Sequence, residues 1–237
     1  MNVSSKKKQY DLSVIVLAFN SGEYISECIN SILNQDYKGS VHVIVCDDYS
    51  TDHSQQILKR YDGTMKENFK VTCVSNGENL GSWMNFINGL EKTNSRYVSY
   101  LEADDVWTDT KKLSIQIDTL ESRTSISATC CGCHFIDRDG KRSSQKYYRR
   151  DTSRLYTNRE LWDYPPFQTS GLVFRKSDLP ELPQNIPRYN CNDKILYALL
   201  SSKKPIWYDA TKMVGYRYHD GNLTSNYTRF QNQVSRP

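Results

Sequence analysis

Residues 12–50 read LSVIVLAFNSGEYISECINSILNQDYKGSVHVIVCDDYS, and their hydrophobic pattern is the strongest indication of the fold class. It opens with the apolar run Leu12–Phe19 and closes with a second run, Val41–Cys46, and each has the length of a strand. Ser21, a residue type that caps helices, stands between them. Behind it, apolar residues recur at helical spacing: Ile25, Cys28, Ile29, Ile32 and Leu33. The stretch therefore predicts a strand, a helix and a second strand.

The alternation of strands and helices continues to about residue 120. Its further predicted elements are a helix around Ile57 and Leu58, a strand over Val71–Ser75, a helix over Gly81–Lys92, a strand over Arg96–Leu101 and a helix from Asp109. Because the strands are apolar on both faces, they predict an α/β fold with a mainly parallel, Rossmann-like sheet flanked by helices. Ligands bind such sheets beyond the carboxyl ends of the strands.

The sequence after residue 120 is less regular. Four strands are predicted there, over Ser127–Ile136, Gly171–Arg175, Ile206–Tyr208 and Met213–Tyr218. Thr157 and Glu160 match the capping-box pattern ahead of a short helix, and a further helix is predicted over Asp193–Ser201. Since no linker or repeat interrupts the chain, we expect a single domain.

Composition excludes several classes of protein. The 237 residues are 38% apolar and 24% charged, which is typical of a globular chain. No apolar run reaches the roughly 18 residues of a membrane span, and the polar N-terminus predicts no signal peptide. Seven cysteines, an odd number, indicate reduced thiols in the cytoplasm. Cys130, Cys131 and Cys133 lack the spacing of a zinc site, so we expect buried strand residues.

Charge is divided unevenly along the chain. Residues 1–120 carry 12 basic and 16 acidic side chains, whereas residues 121–237 carry 19 basic and 11 acidic ones. The overall charge of +4 is too small to indicate a nucleic-acid partner. The basic excess is concentrated between Arg138 and Arg159, where eight basic and two acidic residues occur.

Two acidic clusters directly follow predicted strands. Asp47 and Asp48 come after the second strand, and Glu102, Asp104 and Asp105 come after the fourth. Carboxylates gathered at one sheet edge repel each other, and they are the ligands that a hard divalent cation prefers. The chain has no G-x-G-x-x-G after its first strand and no G-x-x-x-x-G-K-[ST], which disfavours a dinucleotide oxidoreductase and a P-loop NTPase.

Four segments resemble the donor half of family-2 glycosyltransferases: residues 13–37 (SVIVLAFNSGEYISECINSILNQDY), 43–54 (VIVCDDYSTDHS), 78–90 (ENLGSWMNFINGL) and 97–113 (YVSYLEADDVWTDTKKL). The resemblance implies a GT-A fold and an inverting enzyme of the bacterial polysaccharide or glycoconjugate type. The implied donor is a nucleotide sugar, most often UDP-linked. The implied parts are a polar tail (1–10), a donor-binding half (11–120), an acceptor half (121–215) and a C-terminal arm (216–237).

The resemblance also implies roles for residues of the donor half. Asp48, with Asp47 beside it, would contact the nucleotide base. The segment with Leu17, Ala18 and Asn20 would pack along the nucleoside. The loop flanking the nucleoside would contribute three further residues: Asn79, Gly81 and Asn85.

The implied metal site is the segment Glu102–Asp105. Asp104 and Asp105 would hold Mg²⁺ or Mn²⁺, and Glu102 and Asp104 would touch the ribose or the diphosphate of the donor. His219 is either a further metal ligand or a structural histidine. Arg217 is expected to pair with phosphate.

The general base is expected in the acceptor half. Asp193 occupies the place where relatives carry an acidic residue at the start of a helix, and it would take the proton of the acceptor hydroxyl. The alternative for Asp193 is a helix-start carboxylate that is favoured by the helix dipole.

Three departures from the family pattern leave other functions open. Glu102 stands where Asp is commoner, Asn192 replaces an acid, and residues 82–84 lack an Arg before Asn85. They motivate the alternative of a non-catalytic nucleotide-sugar binding module. A sugar-phosphate nucleotidyltransferase is disfavoured because it needs a Gly-rich loop after the first strand.

The acceptor is expected to be a glycan, glycolipid or glycoprotein hydroxyl. The basic stretch Arg138–Arg159 is either a solvated loop or a contact with an anionic acceptor or the inner membrane face. Neutralising Arg149 and Arg150 is expected to weaken that contact and to leave donor binding unchanged.

Overall fold

The computed structural model describes residues 9–144, 151–163, 167–183 and 192–219. In those ranges it has ten strands: β1 (Tyr10–Ala18), β2 (Val41–Asp47), β3 (Met65–Lys66), β4 (Phe69–Ser75), β5 (Ser95–Glu102), β6 (Val106–Trp107), β7 (Ala128–Ile136), β8 (Arg154–Tyr156), β9 (Leu172–Arg175) and β10 (Ile206–Arg217). Its six helices are α1 (Ile25–Leu33), α2 (Ser54–Tyr61), α3 (Ser82–Glu91), α4 (Lys112–Ser122), α5 (Asn158–Asp163) and α6 (Asn192–Leu200). Most of the predicted N-terminal tail and C-terminal arm, as well as Arg149 and Arg150, lie outside the described residues.

The strands form one sheet in the order β3-β4-β2-β1-β5-β9-β7-β10-β6, and β8 pairs with β10. Strands β4, β2, β1 and β5 are parallel neighbours, and β7 and β10 are also parallel. Strand β9 is antiparallel to both of its neighbours, β5 and β7. The mainly parallel α/β sheet in a single domain is therefore confirmed.

Both faces of the sheet are covered, as the apolar strands predict. Leu12, Val14 and Val16 of β1 join a core cluster with α1 and α4, whereas Ile15 and Leu17 join a second cluster with α3 and α6. All five side chains are buried. Covering both faces leaves only the ends of the central strands open to a ligand.

The structure corrects the predicted start of the first helix. Helix α1 begins at Ile25 behind Tyr24, without a side-chain cap, and the Ser21 hydroxyl donates to the Phe19 carbonyl instead. The Ser21 carbonyl accepts from the backbone N–H groups of Tyr24 and Ile25, so a turn precedes the helix. By contrast, one half of the predicted capping box is present, because the Thr157 N–H donates to Glu160 Oε2 at 2.9 Å, while the Thr157 hydroxyl donates to the same oxygen.

A second correction concerns the end of the described chain. The two strands predicted over Ile206–Tyr208 and Met213–Tyr218 are one strand, β10, with register shifts between Asp209 and Val214. The bulge brings the Ala210 carbonyl close to Gly132, where an added Cβ would lie 2.9 Å from that oxygen. The polar bulge residues explain why the sequence pattern breaks there.

The clustered cysteines are core residues of β7. Cys130, Cys131 and Cys133 are buried, and burial is the main cause that raises the pKa of each thiol above its usual value. Across the described ranges, no group of three or more His, Cys, Asp or Glu side chains has the arrangement of a metal site. The prediction of small strand hydrophobes is confirmed.

Lys112 is a buried cation beneath the sheet, and it makes stability depend on pH. Its Nζ donates to Gln116 Oε1 at 2.7 Å and lies 4.1 Å from the centroid of the Trp107 ring. Burial lowers the pKa of Lys112 from 10.5 to about 8, and the nearby Cys131 and Cys130 oppose that shift. Below pH 8 the folded chain bears the full cost of the buried charge. Between the two pKa values the unfolded chain binds more protons, so this contribution to stability rises with pH.

We therefore expect Lys112→Met to lose relative stability as pH rises. The free energy of unfolding of the variant minus that of the wild type should fall by about 2–3 kcal/mol between pH 7 and pH 10. Urea unfolding at both pH values measures this difference, in which the other titrating groups cancel. A difference that does not change with pH would contradict the buried charged state of Lys112.

Candidate functional site

The predicted site residues meet at one edge of the sheet, the carboxyl end of its central parallel strands. In the register, Ala18 of β1 pairs with Asp47 of β2, and Leu17 of β1 pairs with Glu102 of β5. The Asp48 N–H donates to the Ala18 carbonyl at 2.8 Å, and the Ala103 N–H donates to the Leu17 carbonyl at 2.9 Å. Both acidic clusters therefore flank the end of β1.

Asp48 holds the neighbouring loop. One of its carboxylate oxygens accepts from the Leu80 N–H and from Asn76 Nδ2, each at 2.9 Å, and the other accepts from the Gly81 N–H at 2.8 Å. The side chain is buried. Gly81 has a φ of 84°, a conformation that glycine adopts without strain. These three donors leave one acceptor site on the Asp48 carboxylate for the predicted contact with a nucleotide base.

Asn79 and Asn85 belong to the same hydrogen-bonded loop. The Asn79 amide donates to the Asp48 carbonyl at 3.4 Å. The buried Asn85 donates to the Cys46 carbonyl at 2.8 Å and accepts from Asn76 Nδ2 at 2.9 Å. The structure thus places Asn85 behind the loop, where it ties α3 to the end of β2, and this does not match its predicted contact with the donor.

This edge has two exposed aromatic rings and, behind its surface, one buried carboxylate oxygen without a hydrogen-bond partner among the described residues. Asn20 accepts from the Thr51 N–H at 2.9 Å and joins the loops that follow β1 and β2. Phe19 and Tyr49, one in each loop, are both 51% exposed. Asp47 accepts from the Ser75 hydroxyl at 2.8 Å, while its Oδ1 is buried without a hydrogen-bond partner in the described part of the chain. These groups offer stacking faces and an acceptor to a planar ligand.

Glu102 is a carboxyl group with other acidic side chains nearby. Burial, followed by the charge of Asp104, raises its pKa to about 8, and Asp193 adds a further repulsive contribution. The Tyr100 hydroxyl donates to Glu102. Burial is also the main cause that raises the pKa of Tyr100, and Asp193 contributes there as well. Asp193, in the first turn of α6, therefore lies near enough to the end of β5 for its charge to act on both groups.

Asp104 and His219 form a pair that solvent reaches. His219 Nε2 lies 3.1 Å from Asp104 Oδ2, and the two side chains are 18% and 23% exposed. The His219 ring also packs at 5.0 Å from the Tyr24 ring, measured between centroids. The structure brings together these two predicted metal ligands, which lie 115 positions apart in the sequence.

The Asp105 carboxylate is hydrogen-bonded to other residues within the protein. Its two oxygens accept from the Ser170 hydroxyl at 2.5 Å and from the Arg217 N–H at 3.0 Å, and the side chain is buried. Burial first, and the charge of Asp104 second, raise its pKa well above the usual value. The structure thus places Asp105 behind the acidic segment, which does not match its predicted role as a metal ligand.

Arg217 is likewise fully buried. Its guanidinium donates to Glu27 at 2.6 Å, to the Asp104 carbonyl at 2.8 Å and to the carbonyls of Asp137 and Arg138 at 2.9 Å each. With its donors directed to these protein acceptors, Arg217 does not present the predicted phosphate contact. It ties β10 to α1 and to the acidic segment.

The residues present fit a divalent cation that is bound partly by its substrate. Mg²⁺ and similar ions commonly use one or two carboxylates, with phosphate oxygens and water completing the shell. The Asp104–His219 pair offers two ligands that solvent partly reaches, and a cation bound there would favour the ionised forms of Glu102 and Asp105, whose pKa values are raised by burial. The described residues would hold such an ion without forming a closed cage.

Asp193 lies in the first turn of α6. Its Oδ1 accepts from the Lys194 N–H at 2.8 Å, and burial is the main cause that raises its pKa above the usual value. The side chain is half-buried. A carboxylate with a raised pKa is a stronger base, so the position suits proton abstraction.

Sequence patterns missed Ser170, which lies in a 3-10 turn, Thr169–Gly171. Besides donating to Asp105, its hydroxyl accepts from the Glu102 N–H at 3.3 Å, and its carbonyl accepts from Trp107 Nε1 at 3.0 Å. All three contacts join segments at least 63 residues apart. No local spacing could have signalled them.

Removing the Ser170 hydroxyl should loosen the acidic segment. We expect Ser170→Ala to weaken Mn²⁺-dependent UDP binding by about tenfold, because the buried Asp105 carboxylate loses a donor. Isothermal titration with UDP and Mn²⁺ measures the loss. Ser99→Ala is the matched control, since Ser99 is a buried hydroxyl that donates to the Leu172 carbonyl in mid-sheet. Equal binding losses in both variants would show that Ser170 acts only through general stability.

Comparisons with known proteins agree with this architecture. The family model described as Glycosyl transferase family 2 matches residues 13–182. The glucosyltransferase WfaP of Escherichia coli, named for UDP-Glc and an α-D-GlcNAc-diphosphoundecaprenol acceptor, is 31% identical over 47% of this chain and 41% of its own. Residues 1–349 of S. aureus TarS, solved with UDP-GlcNAc, match with a TM-score of 0.65 and 20% identity over 91% of this chain and 60% of that TarS fragment.

A further solved structure has the same fold. The mannosyltransferase PcManGT of Pyrobaculum calidifontis, solved with GDP-Man and Mn²⁺, matches with a TM-score of 0.61 and 18% identity over 96% of this chain and 63% of its own. These structural likenesses show the GT-A-like fold. The chain spans about half the length of the curated relatives it matches.

Proposed function

Because the chain belongs to glycosyl transferase family 2, we propose that it transfers a sugar from a nucleotide sugar to an acceptor hydroxyl with inversion at the anomeric carbon. The observation that carries the proposal is the contact of Asp104 with His219 at the carboxyl edge of the sheet, directly after β5. A UDP-linked donor is proposed on the sequence motifs. WfaP and TarS, which are named or solved with UDP sugars, support it.

The donor would lie along the loops after β1 and β2. Phe19 and Tyr49 offer exposed ring faces to the base, and Asp47 offers its unpaired oxygen to a base N–H or a ribose hydroxyl. Asp104 and His219 would hold Mn²⁺ or Mg²⁺ beside the diphosphate. The bound cation supplies charge neutralisation for the departing nucleoside diphosphate.

Asp193 would act as the general base. Its carboxylate takes the proton from the acceptor hydroxyl while the acceptor oxygen forms its bond to the anomeric carbon. The bond between that carbon and the diphosphate oxygen breaks on the opposite face, so a single displacement inverts the centre. Lys194 holds Asp193 through its backbone N–H, which keeps the carboxylate in place for the transfer.

The acceptor is proposed to be a hydroxyl of a glycan, glycolipid or glycoprotein. In the acceptor half, Arg138 pairs with Glu23 and Arg154 pairs with Glu160, both at the surface. Three further basic residues of the stretch lie outside the described residues: Lys146, Arg149 and Arg150. We propose a cytoplasmic enzyme whose basic stretch contacts an anionic acceptor. Among the described helices, none combines the length and the apolar character that crossing a bilayer requires.

A donor screen tests the proposal. UDP, GDP and a panel of their sugars should raise the melting temperature of the full chain only with Mn²⁺ or Mg²⁺, and UDP compounds should act most strongly. Nucleoside diphosphate should then be released when an acceptor is added. The departures at Glu102 and Asn192 favour one alternative function, that of a non-catalytic binding module. Such a module would bind donors with metal but would release no nucleoside diphosphate with any acceptor.

A further inference from the structure

A cavity of about 480 Å³ lies at the edge of the sheet opposite to the candidate donor site. Its lining includes Ser95, Arg96, Tyr97, Glu121, Arg175 and Lys176. Strand β5 begins at Ser95 and ends at Glu102, so the two sites are separated by about 23 Å along that strand. A ligand in this cavity would not touch the acidic cluster.

The cavity carries unbalanced positive charge. Arg96, Arg175 and Lys176 face a single lining carboxylate, Glu121, which pairs with Arg96 at 2.9 Å. The two guanidinium carbons lie 5.3 and 5.8 Å from the centroid of the Tyr97 ring, so this ring holds both arginines in one cluster. Such a cluster favours an anion, and guanidinium groups suit phosphate in particular.

Arg175 is fixed in this cluster and keeps an unused donor. Its Nη2 donates to the carbonyls of Leu120 and Arg123 at the end of α4. Its Nη1 is buried and has no hydrogen-bond partner among the described residues. A buried donor without an acceptor costs free energy, so an anionic oxygen that satisfied it would gain stabilisation.

An apolar cavity of about 280 Å³ adjoins the basic one, and Lys176 lines both. Its apolar wall includes Ile87, Leu90, Leu179 and Leu182, and two exposed carboxylates, Glu91 and Glu181, also line it. Lys176 is anchored by donating to the carbonyl and the hydroxyl of Thr93, at 2.8 and 2.7 Å. A charged cavity beside an apolar one suits a molecule with a phosphate head and a hydrocarbon chain.

We propose that the two cavities bind a phosphate-bearing lipid, with its phosphate among Arg96, Arg175 and Lys176 and its chain along the apolar wall. This site is separate from the proposed donor and acceptor sites. It would hold the chain at an anionic membrane surface by the edge of the sheet opposite to the reacting edge.

Vesicle co-sedimentation of the full chain tests the proposal. Wild-type protein should sediment with phosphatidylcholine vesicles that contain phosphatidic acid and not with pure phosphatidylcholine. The double variant Arg96→Gln/Lys176→Gln should bind the acidic vesicles at least tenfold more weakly. Ser177→Glu, at an exposed residue that lines the basic cavity, should also weaken binding and leaves the Lys176–Thr93 contacts in place. Arg60→Gln/Lys111→Gln removes the same charge from exposed residues outside the cavities and should bind as the wild type does.

A parallel titration identifies the source of the phosphate. Inorganic phosphate in EDTA should raise the melting temperature of the wild type saturably and that of the double variant much less. Phosphate binding without any binding to acidic vesicles would overturn the lipid assignment. Equal vesicle binding by the wild type and both cavity variants would overturn the site itself. UDP binding with Mn²⁺ should be unchanged in these variants, so failure here is distinguishable from failure of the proposed glycosyl transfer.

Discussion

Asp193→Asn should lower kcat by about a thousandfold and leave UDP binding with Mn²⁺ unchanged. General bases contribute roughly 10²–10⁴-fold, and the amide cannot accept the proton of the acceptor hydroxyl. Asparagine keeps the size of the side chain and its ability to accept from the Lys194 N–H, so the start of α6 should remain folded. Single-turnover transfer and isothermal titration with UDP separate chemistry from binding.

The pH profile gives a second readout of the same residue. Because burial raises the pKa of Asp193, its charged, proton-accepting form is lost as pH falls through that raised pKa, and turnover should decline at a higher pH than an exposed aspartate would allow. The backbone N–H and the charge of Lys194 oppose this rise in the pKa of Asp193. The other titratable groups that interact with Asp193 are Tyr100, Glu102 and Tyr197. Asp118→Asn removes an exposed carboxylate from α4 and should change neither rate nor profile. Normal turnover in Asp193→Asn would move the base to another residue.

The donor half of the fold could be predicted from the sequence because its signals are local. The apolar runs of β1, β2 and β5 are continuous, and each is followed by polar residues that mark the ligand edge. The strand register then brings Ala18, Asp47 and Glu102 together without any further information. In the same way, the capping box at Thr157 identified the start of α5.

The roles of individual acids were harder to predict because they depend on contacts between distant segments. Asp104 and Asp105 are neighbours in the sequence, yet one meets solvent and His219 while the other meets Ser170 and the Arg217 backbone. The sequence does not distinguish these two aspartates, because they are the same residue type in adjacent positions. Only the packing of β10 and of the turn before β9 against the acidic segment decides which carboxylate is available to a ligand.

Arg217→Met should destabilise the chain by about 3–5 kcal/mol, because it removes several hydrogen bonds from a charged donor, each of which contributes about 1.5–3 kcal/mol. The substitution leaves the carbonyls of Asp104, Asp137 and Arg138 without their donors in a partly buried place. Glu27, which is 53% exposed, can recover water and should add little to the loss. Urea unfolding of the variant and the wild type at pH 7 measures the difference.

Two further variants separate charge from geometry. Arg217→Lys keeps the charge, but one ammonium group cannot reach four acceptors, so we expect it to lie closer to Arg217→Met than to the wild type. Arg138→Gln removes an arginine that pairs with Glu23 in solvent and should cost less than about 1 kcal/mol. If Arg217→Met were as mild as Arg138→Gln, the buried guanidinium would not be what holds the acidic segment. Mn²⁺ affinity should fall in step with stability in the two Arg217 variants, because the same guanidinium fixes the backbone of Asp104 beside His219.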